Sequence, residues 1–451
     1  MKTRSLENRG STSSYRSSLR PAMRSIFTAP FFSLLLTRGP QWEHPRRWTV
    51  EYVIYVSLLM VLDDSETLKD RFTHARQTVV AMFPSRKRPG RTYQGYVKAR
   101  GQVRRHYLRA IQQQLRDHQH RIAAAWWQRD GWVAFAADGT RIELPRTAAN
   151  ERAFGCAGRD KTGPQLQLTS LYHLGLGLPW AWRIGAGTES EQVHLRQMVK
   201  WLPRGALLVA DAGFTSFDLL RSLAGRQVEV LVRMGSNRTL LTALEDVRVR
   251  IKGEMVWLWP TKKQSKYPPL KRRLIRLEQA NHTPMCLVTS VLDEQALTDR
   301  QIGQFYRMRW GQEVFHRSFK QTLAQHKMRS GSAAEARSEL DWALLGYLIL
   351  GLWSAEALIG AGHDPLQWSP AESLRVVRGA LRQGGRPARR GALGSFLRQA
   401  VKDRYVRTGS KSARNWPRKK NDHPPGVPKL REATEKEKHC AQRTYERIAT
   451  T

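Results

Sequence analysis

"ALLVADAGFTSFDLLRSLAGRQVEVLVRM", residues 206–234, decides the fold class. Its first six residues form a compact apolar run that ends on Asp211, the pattern of a buried strand. "FTSFDLLRSLAG" (214–225) has helical spacing and stops at Gly225, and "VEVLVRM" (228–234) is again strand-like. Upstream, "WVAFAAD" (132–138) is a short β-prone run that also ends on a carboxylate, Asp138, and passes into "GTRIELP". "LQLTSLYHL" (166–174) and "WAWRIG" (180–185) read as two more strands separated by turn residues, and "ESEQVHLRQMVKWLP" (189–203) reads as a helix. Three successive strands followed by strand–helix alternation predict a mixed sheet with helices on its faces, an α/β core over 129–235.

Beyond that core, residues 236–296 read as a β-rich insertion, with "RVRIKGEMVWLWP" (248–260), "LKRRLIRLEQ" (270–279) and "MCLVTSVLD" (285–293) set between Lys- and Pro-rich turns. Helical spacing resumes at Thr298, an N-cap, and runs to about Lys327; a very apolar helix, "ELDWALLGYLILGLWSAEALIG" (339–360), follows, so 297–374 is read as the helical end of the core. Residues 40–128 read as a helical domain with a dense basic face suited to a DNA backbone. Residues 1–39 are Ser- and Arg-rich and expected to be poorly ordered, with "RSIFTAPFFSLLLTR" (24–38) read as a core or docking helix in preference to a targeting signal. The tail, 375–451, carries 21 Lys and Arg against 6 Asp and Glu and is expected to be partly disordered and to face nucleic acid.

The whole chain of 451 residues has 76 Lys and Arg against 38 Asp and Glu, a formal net charge of +38. Solubility requires far less, so a polyanionic partner is expected, and nucleic acid is the first candidate. The sequence holds no uninterrupted run of 18 apolar residues, which argues against a membrane partner. Cys156, Cys286 and Cys440 are too far apart for a disulfide framework or a metal knuckle, and a reducing cytoplasm suits them.

Two strand-terminal acids, Asp138 in "AADGT" and Asp211 in "VADAGF", project where open sheets place their ligands, although an Asp before a turn is by itself commonplace. The third acid is Glu313, within "FYRMRWGQEVFHRSFKQ" (305–321). On a regular helix Tyr306, Arg309, Glu313 and Lys320 fall within a sector of roughly 60°, while Phe305, Met308, Phe315 and Phe319 gather on a different side. A solvated helix with an Arg309–Glu313 pair explains the charges but not the aligned tyrosine.

This spacing, Tyr306, two residues, Arg309, three residues, Glu313, six residues, Lys320, resembles the Tyr-Arg-Glu-Lys signature of bacterial cut-and-paste insertion-sequence transposases of the DDE class. "DGT" at Asp138 and "DAGF" at Asp211 resemble that family's first two acidic motifs, and a β-rich insertion before the third acid is typical of the group. The resemblance implies an RNase H-like catalytic core in which Asp138, Asp211 and Glu313 are both the catalytic residues and the ligands of two Mg²⁺ ions, with Mn²⁺ able to substitute. Hard oxygen donors suit such ions, and a pair of them clamps the attacking and leaving oxygens of an in-line displacement. It also implies double-stranded DNA partners (terminal inverted repeats and target DNA), a hairpin intermediate, a homodimer in the synaptic complex, and a bacterial, nucleoid-associated location.

In that setting Tyr306, Arg309 and Lys320 are expected to grip phosphates beside the scissile bond. Arg233, Asn237 and Arg238 in "VRMGSNR" are further DNA-contact candidates, and a surface turn accounts for them too. By resemblance a flipped base stacks on a tryptophan of the insertion, for which Trp257 and Trp259 are candidates, while core burial accounts for either ring. A catalytically silent DNA-binding derivative and an RNase H-like structure-specific nuclease are the alternatives.

Overall fold

In the computed structural model the described residues are 19–38, 47–83, 85, 87–103, 105–157, 163–245, 254–264, 266–279, 282–382, 393–403 and 426–449. The remainder of the basic tail and residues 1–18 lie outside them. Helices α1 (Leu19–Ile26), α2 (Ala29–Arg38), α3 (Val50–Leu62), α4 (Leu68–Met82), α5 (Tyr93–Gly101) and α6 (Arg105–Ala123) come first. Then follow β1 (Ala134–Glu143), α7 (Ala148–Phe154), β2 (Gln165–His173), β3 (Leu178–Ala186), α8 (Glu191–Met198), β4 (Leu207–Ala210), α9 (Phe217–Ala224) and β5 (Glu229–Arg233). Four strands, β6 (Thr239–Thr242), β7 (Glu254–Leu258), β8 (Leu270–Gln279) and β9 (His282–Thr289), occupy the segment read as the insertion. The chain continues through α10 (Asp299–Met308), α11 (Trp310–Arg317), α12 (Ala333–Ile359), α13 (Pro370–Leu381), α14 (Leu393–Leu397), β10 (Lys429–Glu432) and α15 (Glu435–Ala449).

The chain forms two compact units: Met1–Trp127 with Ile142–Leu166 and Phe315–Asp403, and Gln128–Arg141 with Gln167–Val314 and Arg404–Thr451. The first is helical. Its α3 and α12 are apolar on nearly every face, as expected of helices surrounded by protein. They pack so closely that a Cβ at Gly346 would fall 2.6 Å from Val61 Cγ1, which leaves room only for glycine. By length and hydropathy α12 could cross a membrane, but 83% of its most apolar window is buried within the protein, and it serves here as a core helix.

The second unit is built on one sheet. Among the described residues its strands run in the order β10-β6-β7-β8-β9-β5-β4-β1-β2-β3. β1 pairs with β4, and β4 with β5, in parallel. The block β3-β2-β1-β4-β5, with successive strands on one side of β1 and crossover strands on the other, is the order of an RNase H-like core. β4 is buried along its whole length and β5 at its three central residues, as sheet strands covered on both faces should be. The strands of 239–289 do not stand apart from this core. β9 pairs antiparallel with β5, placing Val288 opposite Val232, so the inserted hairpins continue the same sheet. β10, from the tail, pairs in parallel with β6.

Candidate active site

Asp138 and Asp211 owe their proximity to sheet register. Ala137 and Ala210 are partners across the parallel β1–β4 pair, so the next residue of each strand is an aspartate at the same level. The two acids differ in setting: Asp211 ends its strand and opens a turn, whereas β1 runs on past Asp138 to Glu143, so the strand-terminal reading holds for Asp211 alone. Asp138 Oδ1 accepts from the Gly139 amide at 2.8 Å, and Asp211 Oδ1 accepts from the Gly213 amide at 2.8 Å, capping the turn Ala212–Phe214.

Glu313 arrives by helix docking. Thr298 caps α10 through a reciprocal capping box with Gln301, as its sequence predicts. The helix read as continuous from 298 to 327 is interrupted at Arg309, because the Gln312 amide bonds to the Arg309 carbonyl three residues back, at 3.0 Å. A second irregularity, the π-helical turn Ser318–Thr322, carries Lys320. The uniform 100° advance therefore does not carry through to Lys320, which belongs to the first unit. The tightened turn aims Gln312 inward. Fully buried, its carboxamide donates to Ser170 O (2.8 Å), Ser170 Oγ (3.0 Å) and the carbonyl of Asp138 (3.3 Å), fastening the helix that carries Glu313 to β2 and to the middle of β1.

Arg309 bridges these elements electrostatically. It is buried, its guanidinium reaches Glu313 Oε1 at 3.0 Å, and it lies 5.4 Å from the centre of the Tyr306 ring. Burial alone would loosen its proton. Tyr306, Glu313, Asp211 and Asp138, in that order, outweigh burial and hold the guanidinium above its ordinary value. Burial raises the Tyr306 phenol, with Arg309 and Arg233 opposing the shift and Asp211 adding to it.

A fourth carboxylate, unread in the sequence, stands beside the pair of aspartates. Glu191, in the first turn of α8, has its carboxyl raised by burial first and then by the negative fields of Asp138 and Asp211, against the pull of Gln167 and Arg141. Gln167 Nε2 donates to Glu191 Oε1 at 3.0 Å. Gly139 makes room: a Cβ there would collide with the Glu191 carboxyl and fall 2.7 Å from Gln167 Nε2. His194, three residues along α8 and fully buried, shares hydrogen bonds with Thr169 Oγ1 (3.0 Å) and Glu189 Oε2 (2.8 Å), which anchors α8 on β2. The signal for Glu191 and Gln312 is faint, since a first-turn acid and a helical glutamine are ordinary until the sheet brings them together.

The other candidates divide. Arg238 Nε donates to Thr215 Oγ1 at 2.9 Å, which ties it to the loop after Asp211; Arg233 ends β5 and Asn237 is exposed. Trp257 and Trp259 are both buried, their indoles donating to Glu245 Oε1 (3.2 Å) and to the Tyr267 carbonyl (2.7 Å), so in this structure both are core residues.

The donor chemistry of Asp138, Asp211 and Glu313, hard anionic oxygens around a cation-lined site, fits a divalent ion of the Mg²⁺ kind. Among the described residues no three acid, His or Cys side chains are already gathered to hold an ion, and Glu313 is turned onto Arg309.

Residues 132–349 match the model of the transposase DDE domain. That segment, which holds most of the RNase H-like mixed sheet, is thus similar to the DDE domain of insertion-sequence transposases. A particular relative, the transposase InsG for insertion sequence element IS4 of Escherichia coli (strain K12), is 28% identical over 321 residues, covering 66% of this chain and 70% of that one. Among solved structures, the cryo-EM structure of the piggyBac transposase synaptic complex with hairpin DNA superposes with a TM-score of 0.43 at 12% identity, over 89% of this chain and 88% of that one.

Proposed function

We propose that this protein is a DNA transposase that cuts phosphodiester bonds at the ends of its own element and joins those ends to target DNA. The observation that carries this reading is the register-matched pair Asp138 and Asp211, with the Glu313 helix fastened by Gln312 to the carbonyl of Asp138. Asp138, Asp211 and Glu313 would hold two Mg²⁺ ions, or Mn²⁺, which when bound supply Lewis-acid polarisation of the scissile phosphate. Glu313 would give up Arg309 to do so, freeing that guanidinium for a phosphate oxygen. Tyr306 and Arg233 flank it, and Lys320 and Arg238 are further contacts to the backbone. Water displaces the 3′ oxygen at the element end; the released hydroxyl attacks the opposite strand to close a hairpin, which a second water reopens before joining. Because each end must be held while the other is cut, the working form is a homodimer bridging two inverted repeats in the bacterial cytoplasm.

Glu313→Gln tests the assignment. Cleavage of a labelled terminal repeat should vanish while the shifted band of the complex persists; undiminished cleavage would remove Glu313 from the site. Strand-transfer products separate a transposase from a structure-specific nuclease, and a shifted band without any cut from the wild type would mark a silent binder.

A further inference from the structure

The first unit contains a cavity of ≈ 90 Å³ that the catalytic reading leaves unused. Its walls come from the facing sides of α3, α4, α5 and α12 and from the segment 323–329. The floor is apolar, and the basic lining residues are Arg71, Arg100, Lys327 and Arg329. The lining acid is Glu339, whose carboxylate accepts from the Arg329 and Ser330 amides and from Ser330 Oγ, so much of its charge is already met by its own loop. Arg100 pairs with Glu335 and keeps further donors in its fork.

Two observations point to an occupant. Arg71 and Arg329 repel each other: the Arg71 proton is loosened by burial first and next by Arg329, while Asp63 and Asp64 offset part of this. Trp342, 3% exposed, lines the same cavity, and its indole Nε1 is buried without a hydrogen-bond acceptor. A buried donor without an acceptor is a cost the fold keeps only when something else repays it. The space exceeds what one water fills. Arg71 donates to the Ser65 carbonyl, Arg329 to the Glu66 carbonyl and Arg100 to Glu335, and beyond these bonds the lining still offers guanidinium N–H groups, an ammonium and the Trp342 indole to an anion.

We propose that this cavity binds a phosphate group, distinct from the phosphate handled by Asp138, Asp211 and Glu313. A DNA phosphodiester is one source, which rests on the transposase reading above; a free phosphorylated small molecule is the other. The multidentate donors suit tetrahedral phosphate oxygens better than a carboxylate.

The test uses the full-length protein and inorganic phosphate, with chloride at equal ionic strength as the reference. Phosphate should raise the thermal midpoint of the wild type. Trp342→Phe keeps an aromatic side chain, though a smaller one, and removes the donor, and Lys327→Gln with Arg329→Gln removes two charges; both variants should unfold cooperatively in chloride and lose the phosphate-induced rise, while Lys327→Arg keeps it. A second arm measures duplex binding against salt. If DNA supplies the phosphate, the double variant lowers the magnitude of the slope of log affinity against log salt by about 0.9, the value for the one phosphate the cavity holds. An unchanged slope together with a lost phosphate response assigns the cavity to a free phosphorylated molecule. A phosphate response that survives in both variants, or is missing from a folded wild type, overturns the site. Since the phosphate arm needs no DNA, its outcome is independent of whether the transposase reading stands.

Discussion

The strand acids and the helix acid reach the same region by different means. Asp138 and Asp211 are set by backbone pairing: Ala137 faces Ala210, and each aspartate is fixed by a nearby backbone amide, that of Gly139 within β1 or of Gly213 in the turn after β4. Glu313 depends on side chains, with Gln312 holding its helix to Ser170 and Asp138 while Arg309 holds its carboxylate. A position set by a ladder of backbone bonds tolerates substitution of its neighbours. One set by a single buried carboxamide does not.

This contrast can be broken experimentally. The largest effect is expected from removing the acids themselves: Asp138→Asn or Asp211→Asn should lower single-turnover cleavage by about 10³-fold or more, the equivalent of several kcal/mol of lost charge stabilisation, with DNA binding retained in a gel shift. Retained cleavage in either variant would dismantle the strand half of the comparison. Gln312→Leu comes next. It strands the carbonyls of Ser170 and Asp138 and frees the helix, so stability should fall by about 1–3 kcal/mol in urea unfolding and cleavage by roughly 10²-fold, as small misplacements do. A variant that loses stability yet cleaves at the wild-type rate would show that Glu313 needs no such fastening.

Gly139→Ala probes β1 beside Asp138. Overpacking against Glu191 should cost about 1–3 kcal/mol, and Glu191→Ala in the same chain should restore much of it; additive losses would rule out that contact as the cause. The smallest effect concerns charge alone. Because the folded Glu191 carboxyl is raised, the native state holds its proton more tightly than the unfolded chain, so its ionised form lowers stability at neutral pH and the loss fades as pH falls through the carboxylate range, about 4. In chelator, Glu191→Gln should therefore melt above the wild type at pH 7 and level with it near pH 4. A difference independent of pH would mean that packing, not the field of Asp138 and Asp211, governs this residue.

What the sequence made legible follows the same division. The strands that carry Asp138 and lead into Asp211 announce themselves through apolar runs that stop on a carboxylate, although β1 itself runs on to Glu143, and Thr298 announces the start of α10. Local periodicity says nothing about which strand pairs with which, so the hairpins of 239–289 look like a separate subdomain until Val288 is seen opposite Val232. Nor does a regular helical wheel foresee the break at Arg309, where the Gln312 amide bonds three residues back and its side chain is held by tertiary bonds that local spacing does not encode. Trp257 and Trp259 show the same limit from the other side: spacing offers two rings for a base, and only three-dimensional packing reveals that both are already enclosed.

The pairing of β10 with β6 has a consequence for solubility. Strand β10 occupies the sheet's outer margin with Lys429, Arg431 and Glu432, exposed charged residues that discourage another chain from adding on. It is pinned by α15, through Tyr445 to Glu245 and Glu437 to Gln264. Proteolytic clipping ahead of Lys429 would strip that guard and leave the unpaired backbone groups of β6 open to intermolecular β-addition, so a trimmed preparation should aggregate under conditions in which the intact chain stays dispersed.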